Sequence, residues 1–274
     1  MPDATAAIEL RDATAVSGEY EVFKRLSVAF PEGATTVILG STGSGKSSLI
    51  KMAAGLLPPA EGVVLFRGQD MGRFGRKEEL AFRAASGFVF QDAALWANTS
   101  IQDNVAIPLR VHQPKLNQAE LAEKVRATLS RLGWTEGLAL RPVDLSSGEQ
   151  KLVSIARALV HDPSLVFMDD PGSSLDEDSM DKLYEVLSEL KSRGKTVIIT
   201  TNNSELAYRY ADCLGVLKSG ALLAFGRYEE TVAKAESELD VTLARLRARG
   251  DRVGPKPSAG QAEAGSEMSQ RSDV

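Results

Sequence analysis

Short apolar runs alternate with segments of helical periodicity along most of the chain. Four runs are rich in β-branched and aromatic residues and end at turn residues, which is typical of buried strands. They are TTVILG at 35–40, SGFVFQ at 86–91, LVFMDD at 165–170 and TVIITT at 196–201. Between the last two runs, apolar residues share one helical face at Met180, Leu183, Val186, Leu187 and Leu190. A helix between two such strands connects parallel neighbours, so the pattern predicts an α/β fold with a mainly parallel sheet.

The flanks of this core follow a different pattern. Residues 1–34 and 61–68 contain short strands separated by turns, which predicts an antiparallel β subdomain. Residues 214–226 predict a hairpin that turns at 218–220. Residues 100–160 are mostly helical in pattern, and one amphipathic helix presents an apolar stripe at Leu121, Val125, Leu129 and Leu132.

These patterns predict one domain over residues 1–227, with a helical subdomain at about 95–160. A further helical extension is expected over 228–249. Residues 250–274 lack aromatic side chains and are rich in Gly, Pro, Ser, Gln and Glu, so we expect a disordered tail there.

Composition narrows the class of protein. The chain has 274 residues, 43% of them hydrophobic and 25% charged, and a net charge of −5, which gives no reason to expect nucleic-acid binding. A single cysteine, Cys213, excludes an internal disulfide and fits a reducing compartment. No apolar stretch approaches the length of a membrane span, and the first residues lack the features of a signal peptide. We expect a cytoplasmic protein that reaches a membrane only through a partner.

The strongest chemical signal follows the first predicted strand. Residues 40–47 match G-x-x-x-x-G-K-[ST] in full, between a strand and a helix. Backbone N–H groups of such a loop bind phosphate oxygens, the lysine reaches the terminal phosphates, and the last hydroxyl takes a Mg²⁺ position. The alternative is a Gly/Ser-rich surface loop that carries a lysine by chance. The predicted phosphate-binding residues are Gly40, Ser41, Gly43, Ser44, Gly45, Lys46, Ser47 and Ser48.

Two adjacent acids, Asp169 and Asp170, end the third predicted strand. Neighbouring carboxylates repel each other unless a positive charge lies beside them. In phosphate-loop NTPases an acid at this place helps to hold Mg²⁺. Asp169 is therefore predicted as a metal ligand with Ser47, and Asp170 as the group that orients or deprotonates the attacking water. Two solvated acids at a strand end are the alternative, which fits poorly with so apolar a run.

The segment from Leu145 to Asp176 resembles ATP-binding-cassette (ABC) ATPases. Leu145-Ser146-Ser147-Gly148-Glu149, here called the signature segment, is similar to the LSGGQ motif of that family, and 174–176 to its D-loop. Gln91 matches the family glutamine that contacts the metal and the reacting phosphate. The resemblance covers about residues 7–227 and implies ATP and Mg²⁺ as cofactors.

The signature segment also fits a helix cap. Ser146 and Glu149 form an S-x-x-E capping box, so the segment can be a cap alone or both a cap and an anion site. The resemblance implies the second role, with Ser146, Ser147, Gly148 and Glu149, together with Asp176, facing ATP bound to a second protomer. It therefore implies a head-to-tail dimer, a homodimer or a pair with a different ATPase. Tyr20 is the candidate for stacking on adenine, and a strand-edge tyrosine is the alternative.

Three positions depart from the family pattern. Asp170 stands where glutamate is usual, Asn202 stands where the family has a histidine that contacts the γ-phosphate, and Ser147 replaces a glycine. A carboxylate shortened by one methylene loses reach to its water, and asparagine carries no proton. The site is therefore expected to bind Mg²⁺–ATP and hydrolyse it slowly. The two histidines, His112 and His161, are expected at the surface, where they cannot replace the missing one.

Residues 88–110 resemble the ATPases that serve MCE-domain lipid transporters of the Mla type. This implies a peripheral subunit on the cytoplasmic face of the inner membrane, bound to a permease and an MCE-domain protein. The apolar stretch 93–96 either docks a permease helix or is core, with Trp96 as its largest side chain. Two alternatives stay open: a regulatory subunit that acts by ATP binding alone, and a soluble ABC protein of the ribosome or DNA.

Overall fold

The computed structural model describes residues 5–233. The predicted tail at 250–274 lies outside the described residues, as does the part of the predicted C-terminal helix from 234 to 249. Within residues 5–233, no helix combines the length and the apolarity that crossing a bilayer requires.

A six-stranded sheet forms the centre of the fold. Its order is β10-β9-β3-β8-β7-β6, and every neighbouring pair is parallel except the β9–β10 hairpin. All four predicted buried strands and the predicted hairpin are therefore confirmed. The strands are β3 (Thr35–Leu39), β6 (Ser86–Val89), β7 (Leu165–Asp169), β8 (Thr196–Thr201), β9 (Cys213–Lys218) and β10 (Ala221–Arg227).

The predicted antiparallel subdomain is a four-stranded sheet in the order β2-β1-β4-β5. The strands β1 and β4 approach so closely at Gly62 that a Cβ there would lie 2.3 Å from the carbonyl oxygen of Asp12, and Gly62 has a positive φ of 80°. Glycine is required at this point for both reasons. The strands are β1 (Ala6–Ser17), β2 (Tyr20–Pro31), β4 (Glu61–Phe66) and β5 (Gln69–Asp70).

Eight helices lie within residues 5–233, and α3, α4 and α5 form the predicted helical subdomain. The helix α1 begins directly after the glycine-rich loop, and α5 begins inside the signature segment. The helices are α1 (Lys46–Ala53), α2 (Arg76–Ala85), α3 (Ile101–His112), α4 (Gln118–Arg131), α5 (Ser147–Leu159), α6 (Glu177–Ser192), α7 (Ser204–Tyr210) and α8 (Tyr228–Ala233).

Two apolar cores cover the two faces of the six-stranded sheet. In β7, Val166 and Met168 pack toward the helices α3 to α6, whereas Phe167 packs toward α1 and the antiparallel sheet. All five residues of β7 are buried, as expected for a parallel strand covered on both faces. Asp169, the last residue of this buried strand, is therefore held at a fixed place at the edge of the sheet.

A close contact at Gly87 fixes the helical subdomain against this sheet. A Cβ at Gly87 in β6 would lie 2.2 Å from the carbonyl oxygen of Ala158 in α5, which is backbone and cannot move aside. We expect Gly87→Ala to lower the free energy of unfolding by about 1–3 kcal/mol, measured by urea denaturation. Gly172→Ala is the matched control, because its Cβ meets the flexible Met180 side chain at 3.2 Å. Equal losses in the two variants would contradict this reading of the contact.

Candidate functional site

A cleft of about 250 Å³ lies at the carboxyl edge of the parallel sheet. The strand β3 leads into the phosphate loop, β7 ends in Asp169, and β8 leads to Asn202. Parallel strands present their carboxyl ends at one edge, so three distant segments meet there. The predicted residues that line this phosphate-loop cleft are Gly43, Gly45, Lys46, Ser47, Ser48, Gln91, Asp169, Asp170 and Asn202. Two further lining residues, Val22 and Thr42, were not predicted.

The phosphate loop curls around the Lys46 ammonium group. The Lys46 Nζ donates to the carbonyl oxygens of Gly40 at 2.9 Å and Ser41 at 2.8 Å. Gly43 and Gly45 have φ values of 78° and 99°, which side chains adopt only with strain. Burial lowers the pKa of Lys46, while the nearby Asp170 and Asp169 act to raise it. The loop therefore holds one cation and a ring of backbone groups at the start of α1, an arrangement that binds phosphate.

Two threonines of β8 hold the two carboxylates. The Thr200 hydroxyl donates to Asp169 Oδ1 at 2.8 Å, and the Thr201 hydroxyl donates to Asp170 Oδ1 at 2.9 Å. Asp169 is buried, so its carboxylate needs such partners. Sequence reasoning missed both threonines, although their position at the end of the neighbouring strand was a usable signal.

The backbone of Asp170 is itself constrained. Its φ of 47° lies in the left-handed region, and its N–H donates to the carbonyl oxygen of Thr200 at 2.7 Å. The Ser173 hydroxyl donates to the carbonyl oxygen of Asp170 at 2.8 Å. The turn after β7 is therefore held by hydrogen bonds on both sides, and the side chain of Asp170 is aimed into the cleft.

A buried lysine, Lys151, lies behind the two aspartates. It is 2% exposed, and its Nζ donates to the carbonyl oxygens of Phe90 at 2.9 Å and Gln91 at 2.5 Å, with that of Asp170 at 3.5 Å. Burial lowers its pKa, while the charges of Asp170, Asp169 and Asp92 act to raise it. Sequence reasoning missed Lys151; the signal was a lysine at helical spacing from apolar Ile155.

The signature segment lies outside the cleft of its own chain. Its capping box is confirmed: the N–H of Glu149 donates to Ser146 Oγ at 3.3 Å, and the N–H of Ser146 donates to Glu149 Oε2 at 2.8 Å. A Cβ on Gly148 would lie 2.9 Å from the carbonyl oxygen of Ser174. Asp176 caps α6 by accepting from the N–H of Ser179. That Ser146, Ser147, Gly148, Glu149 and Asp176 act on a partner's nucleotide stays a prediction.

Tyr20 is not brought to the cleft. It is 81% exposed at the start of β2, whereas Val22 on the same strand lines the cleft. Its predicted stacking on adenine stays a prediction.

The expectation that both histidines lie at the surface is wrong. His161 is buried, its Nε2 lies 3.1 Å from the carbonyl oxygen of Ser86, and its ring centroid lies 5.3 Å from that of the half-buried His112. The reason is tertiary, because the ends of α3 and α5 meet over the start of β6. Neither histidine lines the phosphate-loop cleft.

Comparisons with known proteins agree with this geometry. The family model described as "ABC transporter" matches residues 23–173. The chain is 32% identical over 250 residues to the "Probable ribonucleotide transport ATP-binding protein mkl" of Mycobacterium leprae, covering 91% of this chain and 70% of that relative. It is 31% identical over 224 residues to the intermembrane phospholipid transport system ATP-binding protein MlaF of Haemophilus influenzae, covering 81% and 84%.

A solved relative has the same architecture. The ATP-binding cassette MJ0796, in a dimeric post-hydrolysis state bound to ADP and Pi, superimposes with a TM-score of 0.75 at 27% identity. The match covers 81% of this chain and 98% of that one. With the family model, the relatives and the phosphate-loop cleft in agreement, this chain belongs to the ABC transporter family as an ATP-binding subunit.

Proposed function

We propose that this chain is the ATPase subunit of an MCE/Mla-type lipid transporter, which it drives as a dimer on the cytoplasmic face of the inner membrane with slow ATP turnover. The observation that carries this proposal is the phosphate-loop cleft, whose lining residue Gln91 belongs to the loop that leads to the exposed Trp96. Within the apolar stretch 93–96, Ala93 is buried and Leu95 packs against the core, so only part of the stretch is exposed. The similarity to MlaF supports the lipid-transport part. The relatives named for ribonucleotide, molybdate/tungstate and lipoprotein systems are also transport proteins.

The donor set of the cleft fits Mg²⁺–ATP. A hydroxyl, an amide oxygen and a carboxylate from Ser47, Gln91 and Asp169 line one cavity, and oxygen ligands are those that Mg²⁺ prefers. These three residues would hold the ion, which supplies positive charge to the phosphates when bound. Lys46 and the phosphate loop bind the phosphate oxygens. Gly40 and Ser41 hold the Lys46 ammonium group through their carbonyl oxygens, and Ser44 is buried in the loop.

Slow hydrolysis follows from the reach of Asp170. Its carboxylate is shorter than the usual glutamate, and the bond from Thr201 holds it toward β8. Asn202 lies exposed after β8, where it can donate a hydrogen bond but cannot carry a charge. Both features leave ATP binding intact and weaken the orientation of the attacking water.

The dimer is supported by the exposure of the signature segment. Ser146, Ser147 and Glu149 are exposed at the beginning of α5, a 13-residue helix whose first N–H groups favour an anion. A second protomer placed head to tail would bring its bound γ-phosphate to this helix end, with Asp176 nearby.

The permease contact is supported by two apolar features, the exposed side chain of Trp96 and a groove that Trp96 does not line. Trp96 is 62% exposed, which favours docking over a core role. A cavity of about 280 Å³ lies between α3, α5 and the start of β6, lined by Leu56, Phe88, Pro108 and Val111 among others. An exposed apolar groove of this kind suits an amphipathic helix of a partner.

A regulatory subunit that acts by ATP binding alone is the second candidate. Asp170 and Asn202 favour this candidate, because both stand at positions that serve hydrolysis in the family and neither belongs to the phosphate loop. In that case the complex would function with hydrolysis blocked.

The partner proposal predicts what copurifies with the chain. A tagged full chain, extracted from its own membranes in mild detergent, should retain a permease and an MCE-domain protein, identified by mass spectrometry. A variant with Trp96→Asp and Val111→Asp should lose them while it still binds ATP, because Trp96 is exposed, Val111 lines the groove, and neither residue lines the phosphate-loop cleft. Retention of no membrane protein by the unchanged chain would contradict the transporter proposal.

The catalytic proposal predicts a gain of turnover. We expect Asp170→Glu to raise kcat by about 10- to 100-fold with little change in ATP affinity, because the longer side chain restores reach to the water. Asn202→His should add to this gain, and Asp170→Asn should abolish turnover. A fall in kcat for Asp170→Glu, measured by phosphate release, would mean that the aspartate is the better base here.

The dimer proposal predicts different effects for two equivalent helix caps. Asn117 caps α4 with the same capping box that Ser146 forms on α5. Replacing either by alanine should cost about 1 kcal/mol of stability by thermal or chemical unfolding. Only Ser146→Ala should weaken ATP-dependent dimerisation, measured by light scattering in an Asp170→Asn background. Equal dimerisation of the two variants would count against the anion role of the signature segment.

A further inference from the structure

The helix α5 connects two parts of the machinery. Its N-terminus is the exposed signature segment, and Lys151 lies one turn further along, buried against the backbone of Gln91 and Asp170, two residues that line the phosphate-loop cleft. A helix moves as a rigid unit, so a displacement at Ser147 is carried to Lys151.

The same helix also holds the loop that follows β6. Lys151 donates to the carbonyl oxygens of Phe90 and Gln91, and Arg157 donates to those of Ala93 and Ala94 at 2.8 and 2.7 Å. Trp96 is held at the end of this loop, where its backbone N–H donates to Asn104 Oδ1 at 2.8 Å. Residues 90–94, here called the Gln91 loop, are therefore fixed to α5 by two cations, Lys151 and Arg157.

Lys151 in addition reaches the turn that carries Asp170. Its ammonium group has three N–H donors, and the carbonyl oxygens of Phe90, Gln91 and Asp170 offer one acceptor each. A buried ammonium is costly unless its donors are used, and here three backbone carbonyl oxygens lie within 3.5 Å of Nζ. The positive charge also lies close enough to Asp169 and Asp170 to act on both.

We propose that Lys151 is a positioning residue that links the Gln91 loop and Asp170 to the signature segment of the same chain. When this chain's signature segment binds the ATP held by the partner protomer, α5 and Lys151 would position Gln91 and Asp170 in this chain's own cleft. This inference rests on the proposed dimer and deepens it, because it names the residue through which the two ATP sites affect each other.

The test compares variants of Lys151 in the full chain. Lys151→Met keeps the length of the side chain and removes its charge and its N–H donors. Lys151→Arg keeps the charge and the donors. Lys151→Gln is a milder second variant in case the methionine variant does not fold. Val153→Ala is the matched control, because Val153 is fully buried in the same helix and belongs to the core on the helical side. All variants carry Trp134→Phe, which leaves Trp96 as the reporter of the Gln91 loop.

We expect Mg²⁺–ATP to change the fluorescence of Trp96 in the unchanged chain, in Lys151→Arg and in Val153→Ala. In Lys151→Met the change should be lost, kcat should fall by about 10- to 100-fold, and the Kd for ATP should stay within about threefold. The Hill coefficient for ATP turnover should fall to about 1 in the same variant, because coupling between the two sites is removed.

Two results would overturn the inference. One is a normal Trp96 response, kcat and Hill coefficient in Lys151→Met or Lys151→Gln. The other is the same loss of response and turnover in Val153→Ala at equal loss of stability, which would make Lys151 a core residue only. If the unchanged chain binds no ATP, the proposed function fails, and this inference fails with it.

Discussion

The site depends on two neighbouring carboxylates at the end of a fully buried strand. Asp169 and Asp170 would repel each other and resist burial unless positive charge lay close to them. Two lysines lie near both acids, Lys46 in front and Lys151 behind. Mg²⁺–ATP would bring further charges of both signs into the cleft. The fold around the cleft is therefore organised to hold a small group of opposite charges at fixed places.

The two acids are held by different means, which suits different tasks. Asp169 is buried and bound by Thr200, which suits the rigid metal ligand that we propose. Asp170 sits on a left-handed turn and is bound by Thr201 through one oxygen, which leaves the other oxygen for the cleft. A short carboxylate restrained in this way has little freedom to follow a water molecule. The proposed slow turnover therefore has two physical causes. One is the shorter side chain of aspartate, and the other is its restraint by the hydrogen bond from Thr201.

The three surfaces proposed to have a function lie at different places on the molecule. The phosphate loop and the acids lie in one cleft, the signature segment faces away from it, and the apolar groove lies between α3 and α5. The helix α5 borders all three, through its N-terminus, Lys151 and Arg157. The helix and the segments it holds offer a continuous connection between these surfaces, which makes α5 a suitable element for coupling ATP to a partner.

The sequence by itself determined the parallel core, the antiparallel subdomain, the phosphate loop and the capping box of α5. These features are local, since the periodicity of a strand or helix and the spacing of a loop are written in consecutive residues. What only the tertiary structure decided are contacts between distant segments. Thr200 and Thr201 hold acids that lie 31 residues away in the sequence. Lys151 donates to the carbonyl oxygens of Phe90 and Gln91, which lie 61 and 60 residues away. His161 is buried because two helix ends meet above it. A side chain's type is fixed by the sequence, but its partners are fixed by how the chain returns to the same edge of the sheet.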